Sequence, residues 1–126
     1  MNNNKPTAGI KSMCIGLPVT DLDKAVAWYR QLFPGVMELN PAPDVWEFEV
    51  IPGGWLQLFP HNGTSAKPVM VRFESGNIAA SHHLATTIGS NVEEITLVPG
   101  VIRYFDFSDP FGNPLSFYEM VEEKEM

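Results

Sequence analysis

The strongest constraint on the fold is an internal repeat in the order of the predicted elements. In each half, a short apolar strand is followed by a helix and then by three more strands separated by Pro- and Gly-rich turns. The first unit covers about residues 10–60, and the second covers about 67–120. A β-α-β-β-β unit covers one face of its sheet with its own helix, so the other face needs a partner. The repeat therefore predicts two such modules that pair with each other.

The element bounds follow from alternation and from turn residues. The first helix, within 20–35, begins with a cap at Thr20 or Asp21 and stops at Pro34 and Gly35. The second helix is predicted within 76–89, and Pro18 is expected to end the first strand. The predicted strands are 12–19, 36–40, 45–51, 55–59, 68–75, 93–98, 101–107 and 114–120.

The two halves align with low identity. An offset of 54 places Ile15 on Val69 and Gly35 on Gly89, and an offset of 59 places "GGWLQLF" on "GNPLSFY". The difference between the offsets predicts a small loop insertion of five residues in the second half. Matched element order makes this alignment stronger evidence than the identity alone.

The bulk composition fits one globular domain over residues 1–126. Apolar residues make up 44% of the chain, which is enough for a real core, and no apolar run is long enough to span a membrane. Residues 1–9 lack a signal-peptide pattern and are expected to be a flexible tail. A single cysteine, Cys14, excludes an internal disulfide and suits the cytoplasm.

The charge distribution narrows the partners. The net charge is −7, and the eight Lys and Arg residues are scattered, so no nucleic-acid or membrane partner is expected. The adjacent His82 and His83 point about 100° apart on a helix, so they are expected to be surface or partly buried residues and not a chelating pair. In "DPFGN", Asp109 and Gly112 are expected to serve the backbone of a turn, and Trp28 and Tyr29 are expected to pack.

Strand alternation separates core residues from residues on the opposite face. The residues expected to face the helices and form the core are Ile15, Leu17, Val19, Leu56, Leu58, Val69, Val71, Phe73, Leu115 and Phe117. The opposite face holds Cys14, Gly16, Trp55, Gln57, Phe59, Met70, Arg72, Ser116 and Tyr118. This second set is apolar with a few orienting polar groups, as in small-molecule sites.

Arg72 is the one charge in that set, and it suits a ligand carboxylate or phosphate. The alternative is a surface arginine or an ion pair with Glu47 or Glu49. The aromatic residues of the middle strands are open between the cleft and a dimer interface: Trp46, Phe48, Tyr104, Phe105 and Phe107.

Three stretches resemble the vicinal oxygen chelate superfamily, which includes glyoxalases, bleomycin resistance proteins and extradiol dioxygenases. They are "LPVTDLDKAVAWYRQLFPG", "GGWLQLF" and "DPFGNPLSFYE". The resemblance implies an α+β fold in which two βαβββ modules pair into a curved sheet around a cleft. It also implies a homodimer that binds a small molecule.

The resemblance further implies where metal-using members place His, Gln or Glu ligands. In this chain the four positions hold Cys14, Gln57, Pro68 and Ser116. Proline offers no side-chain ligand, serine is a weak one, and one thiolate with a neutral amide makes a poor site for a divalent ion. No metal or other cofactor is therefore expected, although a different alignment would change the set.

Two functions of different class fit these residues. The first, which we favour, is a metal-independent protein that sequesters or senses a small planar or aromatic molecule. The second is a divalent-metal-dependent lyase, isomerase or dioxygenase of the same superfamily. A metal-free enzyme that uses Cys14 or Tyr118 is a weaker third, because Cys14 is expected to be a buried structural thiol. Trp55, Gln57, Phe59, Met70, Arg72, Ser116 and Tyr118 are the expected ligand-binding residues.

Overall fold

The structure, a computed structural model, describes residues 9–61, 69–89 and 91–121. These residues form two helices and eight strands in the order predicted from the repeat. The helices are α1 (Leu22–Leu32) and α2 (Ile78–Ile88). The strands are β1 (Met13–Val19), β2 (Met37–Ala42), β3 (Val45–Ile51), β4 (Gly54–Pro60), β5 (Val71–Glu74), β6 (Thr96–Val98), β7 (Ile102–Ser108) and β8 (Pro114–Met120).

Each module builds one mixed four-stranded sheet. In sheet A the strand order is β1-β4-β3-β2, and in sheet B it is β5-β8-β7-β6. The first strand of each module runs parallel to the last one, and the remaining pairs are antiparallel. The predicted α+β class with two βαβββ modules is therefore confirmed.

Helix α1 begins and ends for local reasons. Asp21, and not Thr20, is its N-cap, because the Asp21 carboxylate accepts a hydrogen bond from the backbone N–H of Lys24 at 3.1 Å. At the other end the N–H of Phe33 still bonds to the carbonyl of Tyr29, and Pro34 follows. A broad face of α1 is buried, so this helix packs on more than one neighbour.

Helix α2 has the same design with different residues. Asn77 caps its N-terminus by accepting from the N–H of Ala80 at 3.1 Å. Gly89 closes the C-terminus at a φ of 75°, a left-handed conformation that glycine adopts without a Cβ penalty. His82 and His83 lie in the middle of this helix.

The side of each sheet that faces the helices forms the core, as alternation predicted. Leu17, Val19, Leu56, Leu58 and Leu115 are almost completely buried, and Val71 and Phe117 are also buried; Ile15 and Phe73 are partly buried against them. The prediction for Val69 is wrong, because 65% of its surface is exposed. Strand β5 begins only at Val71, so the alternating pattern does not extend back to Val69. Pro18 also does not end β1, which continues to Val19; β1 is an edge strand, where proline is tolerated.

The aromatic residues of the middle strands divide between the two sides of the sheets. Phe48, Phe105 and Phe107 are buried in the core. Trp46 is partly buried against that core, where its Nε1 donates to Glu38. Tyr104 pairs with Tyr118 on the opposite side of sheet B.

The modules share a single core and are joined by polar contacts. The Phe33 ring lies between Phe48 of sheet A and Phe73 of sheet B, with centroid distances of 6.4 and 5.4 Å. The Tyr29 hydroxyl donates to the buried Asp109 carboxylate at 2.8 Å. Asn113 Nδ2 donates to the carbonyl of Pro18 at 2.8 Å. These contacts place the helix-facing sides of both sheets against the same interior.

The "DPFGN" turn has the structural role that the sequence predicted. Asp109 Oδ1 accepts from the N–H groups of Phe111 and Asn113, both at 2.8 Å, and Gly112 has a φ of 88°. Its Oδ2 accepts from Tyr29 and from the Asn113 side chain. The turn therefore connects β7 and β8 and also ties module two to α1.

The structure corrects the alignment of the repeat. The N-caps are Asp21 and Asn77, and Ile15 opposite Leu56 corresponds to Val71 opposite Leu115. Both correspondences give an offset of 56 residues instead of 54. Under this offset the counterpart of Cys14 is Met70, and not Pro68. Pro68 itself, like residues 1–8, lies outside the described residues.

Candidate functional site

Each sheet has a second side that no helix covers, and these sides carry the predicted ligand-binding residues. We call them face A and face B. Face A is formed by Cys14, Gly16, Met37, Leu39, Glu47, Glu49, Trp55, Gln57 and Phe59. Face B is formed by Arg72, Glu74, Val98, Ile102, Tyr104, Asp106, Ser116, Tyr118 and Met120. Ladder partners share a face, so both sets follow from the observed registers.

On face A the amide of Gln57 is held by a neighbouring carboxylate. Gln57 and Glu47 are ladder partners, and Gln57 Nε2 donates to Glu47 Oε2 at 2.7 Å. The Phe59 ring leans across Gly16, where an added Cβ would lie 3.2 Å from the ring. Gly16 therefore leaves the room in which Phe59 and Gln57 lie side by side.

The structure corrects the expectation that Cys14 is a buried thiol, because Cys14 is exposed. It lies at an uncovered position of the edge strand β1, so only one neighbouring strand shields it. Partial burial, and secondly the negative charge of Glu47, raise the pKa of the Cys14 thiol. A raised pKa keeps the group protonated near neutral pH, which disfavours both nucleophilic attack and metal binding.

On face B a polar row crosses three strands. Arg72 on β5, Ser116 on β8 and Asp106 on β7 are successive ladder partners. Ser116 is fully buried, and its hydroxyl donates to the carbonyl of Phe105 at 3.1 Å and accepts from Arg72 Nη1 at 3.5 Å. The hydroxyl at this position of β8 is thus occupied by protein partners.

Arg72 is exposed at the outer strand of sheet B. Within the described chain, no carboxylate lies within 4.0 Å of its guanidinium, so the ion pair with Glu47 or Glu49 is not formed. Its neighbours Val71 and Phe73 point to the core, which fixes the direction of its side chain. Arg72 is therefore a cation with most of its five donors unused by these residues.

Sequence reasoning missed Asp106. Its Oδ1 is buried and has no hydrogen-bond partner among the described residues. The signal was present in "YFDFS", where a carboxylate stands between two core phenylalanines on a middle strand and must point to the opposite side.

A cavity borders face B. It has a volume of about 570 Å³, within the usual range for small-molecule pockets, and it extends around the edge of β5. Its walls are Val50, Ile51, Arg72, Phe73, Glu74, Ser75, Gly76 and Tyr118. Met70 precedes β5 and is partly buried, outside this lining.

The predicted site residues thus form two groups. Arg72, Ser116 and Tyr118 come together on face B, and Trp55, Gln57 and Phe59 come together on face A. Across the part of the chain that the structure describes, no hydrogen bond, ion pair or ring contact joins the two faces. Each face therefore holds its own group of these residues.

The residues at the four metal positions do not fit a divalent ion. Cys14 and Gln57 lie on face A, Ser116 lies on face B with its hydroxyl engaged, and Met70 takes the place of a second first-strand ligand. In residues 9–61, 69–89 and 91–121, no group of three or more His, Cys, Asp or Glu residues is placed to hold a metal. A divalent ion needs several negative or imidazole donors to replace its hydration shell.

The helix histidines are surface and partly buried residues, as predicted. His82 Nε2 lies 2.9 Å from the carbonyl of Glu93, and its ring meets the edge of Phe105 at 4.8 Å. His83 is exposed.

In the described chain, neither helix has the length and apolarity required to cross a bilayer.

Comparison with known proteins supports the fold. No protein-family model matches the chain, and no curated protein matches it. Solved structures do match. TioX from Micromonospora sp. ML1 has 19% identity and a TM-score of 0.72, over 87% of this chain and 98% of that one. A glyoxalase/bleomycin resistance protein from Catenulispora acidiphila has 21% identity and a TM-score of 0.71, over the same shares.

A third similar structure is the fosfomycin resistance protein FosX from Listeria monocytogenes, described as a complex with Mn(II) and a dihydroxypropylphosphonic acid. It has 16% identity and a TM-score of 0.69, over 90% of this chain and 95% of that one. At such low sequence identities, structural similarity establishes a shared fold and carries no information about a shared reaction. The chain has the fold of the glyoxalase, bleomycin resistance and fosfomycin resistance proteins.

Proposed function

We propose that the protein binds a small molecule without a metal ion and acts by sequestering or sensing it, with no catalytic step. The observation that carries this proposal is the state of the family's metal positions. The Ser116 hydroxyl is buried and bonded to Phe105, the Gln57 amide is bonded to Glu47, and the Cys14 thiol has a raised pKa. The uncovered faces keep the aromatic and polar residues of a small-molecule site.

The test is thermal unfolding of chelator-treated protein with Ni²⁺, Zn²⁺, Mn²⁺, Fe²⁺ or Mg²⁺ added in turn. An ion present at 100 times its dissociation constant would stabilise the fold by about 2.7 kcal/mol, which a melting curve resolves. We expect no ion to raise the midpoint. A stabilisation of one-to-one stoichiometry that Gln57→Ala removes would overturn the proposal.

One observation supports the alternative of a metal-dependent lyase, isomerase or dioxygenase. Cys14, Glu47 and Gln57 are neighbours on face A, and together they offer a thiol, a carboxylate and an amide oxygen. The carboxylate is the only strong donor for a hard cation in this trio. The same titration decides between the two functions, because the alternative requires stabilisation by an ion and loss of that effect in Glu47→Gln.

We further propose that the protein is a homodimer. Large apolar side chains are exposed on both faces, with Met37 at 59% and Leu39 at 45% on face A and Met120 at 56% on face B. The edge strands β1 and β5 also leave unpaired backbone groups. A second copy would cover these surfaces.

Sedimentation equilibrium tests the dimer. Leu39→Lys and Met120→Lys each place a charge on a face, and we expect both to produce monomers. Val101→Lys is the control for Leu39→Lys, because Val101 is similarly exposed but lies in the turn between β6 and β7, in the other module. A wild-type monomer at high protein concentration would contradict the proposal.

We place the protein in the cytoplasm on the strength of its cysteine. Cys14 is unpaired and exposed, and such thiols persist in reducing compartments. Cell fractionation with an antibody against the chain checks this, and recovery in a secreted fraction would contradict it.

A further inference from the structure

We propose that face B binds the acid group of an aromatic carboxylate, with Arg72 as the anchor and Ser116 as the residue that positions it. This inference rests on the proposed function and names its ligand class. The site consists of the Arg72 guanidinium, the adjoining Tyr118 ring and the apolar wall at the edge of β5.

The guanidinium of Arg72 is available and oriented. It is exposed, and its one hydrogen bond within the described chain runs from Nη1 to Ser116 Oγ at 3.5 Å. Ser116 is itself fixed, because it is fully buried and donates to the carbonyl of Phe105 at 3.1 Å. One nitrogen of the planar guanidinium thus lies at the outer limit of hydrogen-bond distance from Ser116. The remaining donors have no partner within the described chain, which leaves them for a two-pronged contact with an oxyanion.

The cavity beside Arg72 provides the surface for a ring. Tyr118 follows Ser116 by two positions on the same face of β8, and it shares the cavity with Phe73, Val50 and Ile51. The cavity extends around β5, the edge strand of sheet B, so a flat group can pass the edge while its acid stays at Arg72. A volume of about 570 Å³ suits a molecule of one or two rings.

The carboxylates nearby set the specificity of the site. Glu74 lines the same cavity, and Asp106 lies in the row behind Ser116 with its Oδ1 buried. Both oppose an anion at long range, so binding depends on the direct contact with Arg72 and not on general charge attraction. A positive ligand would instead gain from both carboxylates. Replacement of Glu74 by a neutral residue should therefore raise the affinity for an anionic ligand and lower the affinity for a cationic one.

The experiment titrates the whole protein with benzoate, benzamide and benzylamine in the presence of a chelator. NMR monitors the binding of each compound. We expect benzoate to bind at least about tenfold more tightly than the neutral and cationic analogues, since a hydrogen bond to a charged group is worth about that factor. Arg72→Gln should remove this preference, and Glu74→Gln should increase benzoate affinity. Lys24→Gln is the control for Arg72→Gln, because it also removes one positive charge, but from the surface of α1. It should leave benzoate affinity unchanged.

Two further variants test the geometry. Arg72→Lys keeps the charge but loses the fork, so we expect benzoate affinity to fall while the fold is retained. Ser116→Ala should shift the Arg72 Nη1–H resonance, because Nη1 is the atom that contacts the Ser116 hydroxyl. It should also bring the affinities for benzoate and benzamide closer together, which a loss of stability alone would not do. An unchanged ratio in Ser116→Ala would overturn its positioning role.

The outcomes separate this inference from the proposed function. If benzamide or benzylamine binds as well as benzoate, or if no probe binds, the anion site at Arg72 is overturned. Binding of benzamide or benzylamine in chelator still supports metal-independent binding. If benzoate binds only after a divalent metal is added back, the proposed function fails, whatever the effect of Arg72→Gln.

Discussion

Single residues connect the modules, and Tyr29 is the clearest example. Its hydroxyl is buried in the shared interior and donates to Asp109. Burial first, then the negative charge of Asp109 and the hydrogen bond to it, raise the pKa of Tyr29 far above its ordinary value. The folded protein therefore holds the Tyr29 hydroxyl in its protonated form.

We expect Tyr29→Phe to lower the free energy of unfolding by about 1.5–3 kcal/mol at neutral pH, the usual value of a hydrogen bond to a charged group. Above a pH of about 10 an unfolded tyrosine loses its proton but the folded one keeps it, so this contribution falls as the pH rises. Urea unfolding of both proteins at rising pH should show their difference shrink. Tyr104→Phe, which alters a partly exposed ring, is the control, and a constant difference would contradict the assignment.

Cys14 gives a second prediction at the residue scale. Partial burial and then Glu47 raise its thiol pKa, so removal of the Glu47 charge should lower that pKa. We expect Glu47→Gln to react faster than the wild type with iodoacetamide at mildly alkaline pH, as followed by mass spectrometry. Glu49→Gln is the matched control on the same strand and should react at the wild-type rate. Equal rates in all three proteins would show that Glu47 does not act on the thiol.

At the scale of elements, capping fixes where the helices begin. The Asp21 carboxylate accepts a hydrogen bond from the N–H of Lys24. Asp23 lies in the first turn of α1 and takes no part in that hydrogen bond. We expect Asp21→Ala to lower the free energy of unfolding by about 1 kcal/mol and Asp23→Ala by less than half as much. Chemical denaturation measures both. Equal losses would mean that charge near the helix terminus matters and the cap hydrogen bond does not.

The element order and most element bounds were predictable from sequence, because turn residues and alternation act locally. The strands Val45–Ile51 and Pro114–Met120 were predicted to the residue. The offset between the modules was not predictable in this way. Strand side chains repeat every two residues, so a shift of two leaves each residue on its original face and leaves the pattern unchanged. Only the ladder registers and the caps revealed the offset of 56 and made Met70 the counterpart of Cys14.

At the scale of the whole molecule, the shared core should make the two modules unfold together. Phe33 contacts rings of both sheets, and Asp109 and Asn113 reach from module two to module one. All three tryptophans lie in module one, but the Trp28 indole N–H donates to the carbonyl of Ile88 in α2 at 3.4 Å, so Trp28 senses both modules. In a Trp28→Phe background the fluorescence of Trp46 and Trp55 reports module one, and far-ultraviolet circular dichroism reports both modules.

We expect the fluorescence and circular dichroism transitions to coincide in urea, as for a two-state protein. The ring contacts of Phe105 are with residues of module two, and Phe105→Leu should nevertheless lower both transition midpoints by the same amount. Phe48→Leu is the equivalent change in module one and should behave identically. Separate midpoints in Phe105→Leu would show that the modules unfold independently.

The sequence by itself determined the two βαβββ modules, the turns, and the parity that places Gln57, Arg72 and Ser116 away from the core, because each depends on local backbone preferences. The tertiary structure alone decided what those residues touch. It exposed Cys14, buried the Ser116 hydroxyl against Phe105, and left Arg72 without a carboxylate partner in the described chain. Such contacts join strands that are distant in sequence, so no local pattern encodes them.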